Sequence, residues 1–148
     1  MTDHDFTREE IAGLLAQADR DAVVALADEI IAALDDPAQC RITRAPQVGA
    51  IQVQVREPIA AHRFVIADAL ATNVEVRLGD QGGWAIRLGD DATAVTAQAI
   101  CDAEYAASGE YAGQIATLCR STAQQIAHDR AAHWRDLQPT IVEFEEVH

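Results

Sequence analysis

Hydrophobic and polar residues alternate along three stretches in the middle of the chain. These stretches are residues 51–56, 74–78 and 84–88. A spacing of two places the apolar side chains on one face of a β-strand and the polar side chains on the other. The segment Gly79–Gly83, which separates the last two stretches, is typical of a short turn. The two stretches therefore predict an antiparallel hairpin with Trp84 and Leu88 on its buried face.

Shorter segments predict two further strands, at residues 40–45 and 62–66, and the segment Pro46–Gly49 between the first strand and the alternating stretch predicts a turn. A final strand-like run covers residues 140–144. Four bulky residues are expected to anchor the core: Phe64, Leu78, Trp84 and Leu88. For a buried anchor, Trp84→Ala would lower the free energy of unfolding by about 3–5 kcal/mol.

Apolar residues three and four positions apart predict four helices around this sheet. Thr7 and Glu10 have the spacing of a capping box at the start of the first helix. Asp19 can cap the second helix and Asp91 the third, and the fourth runs from position 110 to about position 137. The sequence thus predicts an α+β fold, a small antiparallel β-sheet covered by an N-terminal helical hairpin and two C-terminal helices.

The length of 148 residues fits a single domain, and the aromatic content of only 5% predicts a core of aliphatic side chains. The net charge of −13 disfavours a nucleic-acid partner, because phosphate binding requires a basic surface. Neither a membrane-spanning run nor a signal peptide is recognisable. Three scattered cysteines fit a reducing compartment, so the expected location is cytoplasmic.

The sequence contains no phosphate-binding loop and no nucleophile motif, so no catalytic residue is assigned. Asp90 and Asp91 fit either a magnesium–nucleotide contact or a helix cap, and the cap is the favoured interpretation. His62 and Arg63 fit either an anion contact or the flank of an edge strand, and the flank is favoured.

No metal site is assigned either. His128 and His133 are five positions apart, which places them on different sides of a helix and makes shared ligation awkward. Cys101 and Cys119 lie on helical faces and are interpreted as small core residues.

An ordered series of residues carries a resemblance to a known family. The series is Arg44-x-Pro46-x-x-Gly49, Gln52-x-Gln54-x-Arg56, Arg63-Phe64 with Asp68, Thr72, Val76-Arg77-Leu78, Gly89-x-Asp91 and Asp102-Ala103. It resembles the PhnG family, the G subunits of the bacterial carbon–phosphorus lyase core complex. Towards the C-terminus, Val142-Glu143-Phe144 looks like the family's Val-Asp-Phe.

The resemblance implies a cytoplasmic subunit that assembles with H-, I- and J-type subunits. With the I-type subunit, the family member takes part in displacing adenine from ATP by an alkylphosphonate, which gives ribose 1-methylphosphonate 5-triphosphate. ATP is then a substrate of the complex, this chain binds no cofactor of its own, and radical cleavage of the carbon–phosphorus bond belongs to J. Five residues become candidates for substrate or interface contacts: Arg44, Arg56, Arg63, Arg77 and Asp91.

The sequence departs from the family pattern at two arginine positions, which are Asn73 and Asp90 here. These departures leave a second hypothesis open. In that hypothesis the chain is a divergent stand-alone homo-oligomeric binding module that kept the fold and lost the lyase assembly.

Overall fold

A computed structural model describes residues 6–140, which form four α-helices and one three-stranded antiparallel sheet with the strand order β1-β2-β3. The elements are α1 (Arg8–Leu15), α2 (Arg20–Ala32), β1 (Cys40–Arg56), β2 (Arg63–Leu78), β3 (Gln81–Leu88), α3 (Ala92–Ala106) and α4 (Ala112–Leu137). The predicted α+β fold, with helices at both ends of the chain around a small sheet, is confirmed. The strand predicted at residues 140–144 falls outside the described residues except for Thr140, which ends a 3-10 turn.

The predicted helix starts are confirmed by their capping hydrogen bonds. Thr7 and Glu10 form a capping box, in which the backbone N–H of Thr7 donates to the Glu10 carboxylate at 2.7 Å. Asp19 and Asp91 each accept a hydrogen bond from the backbone N–H three residues further on, at 3.0 and 2.9 Å. Each cap satisfies a backbone donor that the helix itself leaves unpaired, which fixes where the helix begins.

Helix α3 is the centre of the molecule. It lies directly on β2 and β3, while α1, α2 and α4 pack against it from other sides. Ten of its fifteen residues are buried, and most of these are small. A Cβ atom added at Gly83 of β3 would clash with the backbone carbonyl of Ala99 and would lie 2.8 Å from the Cβ of Ala103. Small residues on both elements therefore allow the helix backbone to approach the sheet closely.

This close approach reverses the predicted faces of β3. Ala85 is fully buried against the helical layer, whereas the side chains of Trp84 and Leu88 are 46% and 68% exposed on the opposite face. The prediction that Trp84 and Leu88 anchor the core is wrong, because only glycine and alanine fit beneath α3. Alternation identified the strand correctly but assigned the bulky residues to the buried side.

The exposed position of Trp84 changes the expected cost of removing it. We expect Trp84→Ala to lower the free energy of unfolding by about 2 kcal/mol, because roughly half of the side chain already contacts water. Urea denaturation followed by far-UV circular dichroism measures this, with Leu88→Ala as a second substitution on the same exposed face. A loss above about 3 kcal/mol would show that Trp84 is a core anchor after all.

Strand β1 is one continuous strand of 17 residues, so the predicted turn at Pro46–Gly49 is wrong. Proline is tolerated there because β1 is an edge strand, and shifts in the β1–β2 register on both sides of position 44 absorb the irregularity. Residues 63–78 likewise form the single strand β2. Of the two anchors predicted on β2, Leu78 is buried as expected, and Phe64 is 50% exposed.

The β1–β2 hairpin is longer than β3. Pairing between β2 and β3 ends at Ala71 and Leu88, whereas pairing between β1 and β2 continues as far as Arg56 and Arg63. The extension, residues 50–70, is a two-stranded arm beyond the three-stranded part of the sheet. Its alternating residues were predicted to face a core, but no helix among residues 6–140 packs along the arm, because α3 lies on the part of the sheet that contains β3.

Candidate functional site

The five candidate residues lie on three separate parts of the structure. Arg56 and Arg63 face each other across the β1–β2 ladder at the far end of the arm. Arg44 and Arg77 lie on the three-stranded part of the sheet, and Asp91 lies at the start of α3. An extended strand spans roughly 40 Å between positions 44 and 56. A single small ligand cannot contact all five residues of one copy.

The two arginines on the body of the sheet have partners close by. Arg44 forms an ion pair of 3.2 Å with Glu75 on the neighbouring strand, and both side chains are exposed. A guanidinium nitrogen of Arg77 donates to the backbone carbonyl of Asp80 at 3.2 Å. Exposed pairs of this kind contribute little to stability, so both arginines can exchange these partners for another protein surface or an anion.

Asp91 acts as the cap of α3. One carboxylate oxygen accepts from the backbone N–H of Ala94 at 2.9 Å, and the other forms an ion pair of 2.6 Å with Arg20 of α2. These contacts hold the pKa of Asp91 below its ordinary value of 3.8, mainly through the Ala94 hydrogen bond and then through Arg20. They support the favoured interpretation of Asp91 as a cap, and the adjacent Asp90 is exposed.

The lowered pKa of Asp91 predicts a pH dependence. The charged carboxylate stabilises the fold fully above its unfolded pKa, and this stabilisation is lost as the pH falls through the lower pKa of the folded state. We therefore expect Asp91→Asn to be less stable than the unmodified chain at pH ~6, with the difference shrinking towards pH ~3. Urea midpoints across this range measure the effect, with the exposed Asp80→Asn as control. A difference that stays constant with pH would contradict it.

The described residues contain no group of three or more histidine, cysteine, aspartate or glutamate side chains placed to hold a metal ion. His128 and His133 are both exposed on α4. Cys101 and Cys119 are fully buried, and burial raises the pKa of each thiol to about 12, so both are small core residues as predicted.

The sequence did not predict the structural role of Asp102, a buried residue whose carboxylate accepts several hydrogen bonds. Asp102 is 3% exposed and accepts from Arg8 of α1 through two bonds, of 3.1 and 2.7 Å. It also accepts from the backbone N–H of Trp84 at 3.0 Å. The hydrogen bond to Asp102 raises the pKa of Arg8. The only sequence signal for this cluster was the pair Asp102-Ala103 in the family resemblance.

Arg87 is a second structural residue that alternation assigned to the wet face of β3. Its guanidinium donates to the backbone carbonyls of Leu15 and Ala18 at 2.9 and 2.6 Å, which satisfies the C-terminal end of α1. Burial lowers the pKa of this guanidinium.

The hydroxyl of Thr72 donates to the carbonyl of Gly89 at 2.7 Å. Thr72 and Gly89 belong to the resemblance series, so part of that series consists of framework contacts.

An open groove of about 390 Å³ lies between α2, α3 and β1. Its lining is apolar apart from Asp28, Thr93 and Thr96, and the exposed Ile31 and Ile42 lie at its surface. Such a lining suits an apolar side chain better than a phosphate or a nucleotide.

No helix among residues 6–140 is both long enough and apolar enough to cross a membrane.

Comparison with known protein families identifies the family to which the chain belongs. Residues 6–147 match the family described as phosphonate metabolism protein PhnG. The chain belongs to the PhnG family. The match covers nearly the whole sequence, whereas the resemblance seen from motifs was strongest between positions 44 and 103, so the flanking helices belong to the PhnG domain as well. No curated protein matches the chain significantly. PhnG membership implies a role in phosphonate metabolism as a subunit of the carbon–phosphorus lyase.

Proposed function

We propose that this chain is a non-autonomous subunit of the carbon–phosphorus lyase core complex, which acts in the cytoplasm with H-, I- and J-type subunits. With the I-type subunit it takes part in forming ribose 1-methylphosphonate 5-triphosphate from ATP and an alkylphosphonate. The observation that carries the proposal is the PhnG match over nearly the whole chain.

The placement of the candidate arginines supports a role within an assembly. Two of them, Arg44 and Arg77, lie on the body of the sheet, and the other two, Arg56 and Arg63, lie on the arm. This separation favours contacts with more than one neighbouring surface. A chain that bound and turned over a substrate alone would instead bring its charged groups together in one cleft.

In the proposed reaction, a phosphonate oxygen forms a bond to C1′ of the ribose, and the bond between C1′ and adenine breaks. Adenine leaves with the bonding electron pair and takes up a proton, and the triphosphate stays on the 5′ oxygen. We assign no step of this displacement to a side chain of this subunit. Its contribution is to complete the assembly and to shape the site that the I-type subunit provides.

The test is reconstitution. The chain and the H-, I- and J-type subunits of the same genome are coexpressed, and adenine release from ATP and methylphosphonate is followed by chromatography. We expect adenine release only when this chain is present together with the I-type subunit, and none from the chain alone. Equal rates from a complex that lacks this chain would overturn the proposal.

A stand-alone homo-oligomeric binding module is the second candidate. The departures at Asn73 and Asp90 favour it, and the side-chain oxygen of Asn73 is buried without a hydrogen-bond donor among residues 6–140. Light scattering coupled to size exclusion separates the two candidates. A stand-alone module would form a stable homo-oligomer that persists when the other subunits are added. A lyase subunit would instead join those subunits in a mixed complex.

A further inference from the structure

The arm combines a well-defined backbone with uncovered apolar side chains. Its two strands pair from Ala50 and Leu70 outwards to Arg56 and Arg63. The exposed large apolar residues of the arm are Ile51, Ile59, Phe64, Val65, Ile66 and Leu70. Phe64 and Val65 are consecutive residues of a strand, so apolar side chains lie on both faces of the arm. A monomeric protein rarely leaves so many large apolar side chains together in contact with water unless it binds another molecule.

The turn at the end of the arm is held by Glu57. Its carboxylate accepts hydrogen bonds from the backbone N–H groups of Ile59 and Ala60 at 2.9 and 2.5 Å, and its own N–H donates to the carbonyl of His62 at 3.0 Å. The turn therefore has a fixed shape even though Ile59 is 95% exposed at its outermost point. A preorganised turn with an apolar tip loses little conformational entropy when it enters a partner's pocket.

The edges of the arm are also open. β1 is an edge strand along its whole length. On its other side, β2 has no partner beyond Leu70, whose carbonyl accepts from the backbone N–H of Gly89 at 2.9 Å, within the described part of the chain. Soluble proteins usually protect such edges with charged side chains, proline, a bulge or a covering element. Residues 50–55 of the β1 edge contain no charged residue and no proline, although the β1–β2 register shifts between Val53 and Gln54. An isolated two-stranded hairpin is only marginally stable in water. The exposed backbone groups fit a partner that adds a strand or a loop to the arm.

Charge indicates the chemistry of that partner. The β1–β2 hairpin, residues 40–78, carries five arginines and three carboxylates, whereas the whole chain has 11 basic and 24 acidic residues. Arg56 and Arg63 lie directly opposite each other, and neither forms an ion pair among residues 6–140. Like charges at paired positions destabilise a hairpin unless a carboxylate approaches them. A second copy is the poorer occupant, because each copy has a net charge of −13.

We propose that the arm is the docking element of this subunit, and that it inserts into an apolar groove with a carboxylate-bearing end on a different subunit of the complex. The apolar side chains fill the groove, and the carboxylates pair with Arg56 and Arg63. This inference rests on the proposed function, since that supplies the different subunit. The inference goes beyond the proposed function because it assigns the contact to residues 50–70.

Three variants test the docking role. Arg56→Glu combined with Arg63→Glu reverses the charge of the arm, and Phe64→Ser combined with Ile66→Ser removes apolar surface from it. Arg130→Glu combined with Leu88→Ser makes the same kinds of change at exposed positions outside the arm and serves as the matched control. Affinity for the purified I-type subunit, alone and together with the H- and J-type subunits, is measured by biolayer interferometry at two salt concentrations.

We expect both arm variants to weaken binding at least about 100-fold, while the control stays within about threefold of the unmodified chain. The melting temperature of each free variant should stay near that of the unmodified chain, since these side chains lie outside the core. Arm variants that bind as well as the unmodified chain would overturn the docking role and leave the proposed function intact. An unmodified chain that binds none of the subunits would overturn both, and arm-dependent homodimers found by light scattering would overturn the docking role in favour of a second copy.

Discussion

Replacing Gly83 with alanine should lower the free energy of unfolding by about 3 kcal/mol, the upper part of the range for overpacked cores. The added Cβ clashes with the backbone carbonyl of Ala99 and lies 2.8 Å from the Cβ of Ala103. Neither neighbour is the end of a flexible side chain, so the whole of α3 must shift. Because α3 contacts β2 and three other helices, that shift disturbs most of the core.

Gly82 provides the matched control for this substitution. It is the preceding residue of the same strand, and a Cβ atom there would meet no atom within 4 Å. Gly82→Ala should change the free energy of unfolding by less than about 0.5 kcal/mol. Urea denaturation of both variants, followed by far-UV circular dichroism, makes the comparison. A loss below about 1 kcal/mol for Gly83→Ala would show that α3 is not held as close to β3 as described.

Asp102→Ala is expected to lower the free energy of unfolding by about 3 kcal/mol as well. The substitution removes the acceptor of three hydrogen bonds, two from Arg8 and one from the backbone N–H of Trp84. Arg8 is about half exposed and can turn towards water, which limits its share of the loss. The N–H of Trp84 lies between the strand and the helix, where a lost partner is harder to replace.

A double-mutant cycle separates these contributions. Arg8→Ala alone leaves a buried carboxylate without its cation, so we expect Arg8→Ala combined with Asp102→Ala to cost less than the sum of the two single changes. The exposed Asp80→Ala, within about 0.5 kcal/mol of the unmodified chain, is the control for removing a surface charge. Additive single changes would show that Arg8 and Asp102 act independently.

Much of the fold follows from local signals in the sequence. Thr7, Asp19 and Asp91 cap the helices that their spacing predicts, and the alternating stretches lie on strands. Local signals succeed here because a cap depends on backbone groups within three residues of it. The α+β class then follows from the number and order of the elements.

The faces of the sheet did not follow from the sequence, because they depend on what packs above them. Alternation predicts that the larger apolar residues of β3 are buried, but the close approach of α3 leaves space only for Gly83 and Ala85. Similarly, proline normally breaks a strand, and Pro46 is accepted only because its strand lies at the edge of the sheet. Both errors come from contacts between distant parts of the chain.

The distribution of the candidate residues also required the structure. The sequence shows four arginines between positions 44 and 77 but does not show the strand register. The register places Arg56 opposite Arg63 at one end of the hairpin and Arg44 beside Glu75 far from them. The pairing of Asp102 with Arg8 was not predicted, because the two residues are 94 positions apart in the sequence.

Because α3 lies at the centre of the domain, the backbone hydrogen bonds of α3 and those of the arm should differ in how readily they open. Every other helix and all three strands contact α3, so the amide hydrogens in its buried turns should exchange with solvent when the domain unfolds as a whole. The arm can separate from this unit without exposing any core residue. Deuterium uptake in the free chain should therefore be slowest in Ala92–Ala106 and faster in residues 50–70, so that the backbone of the arm exchanges independently of the domain that carries it.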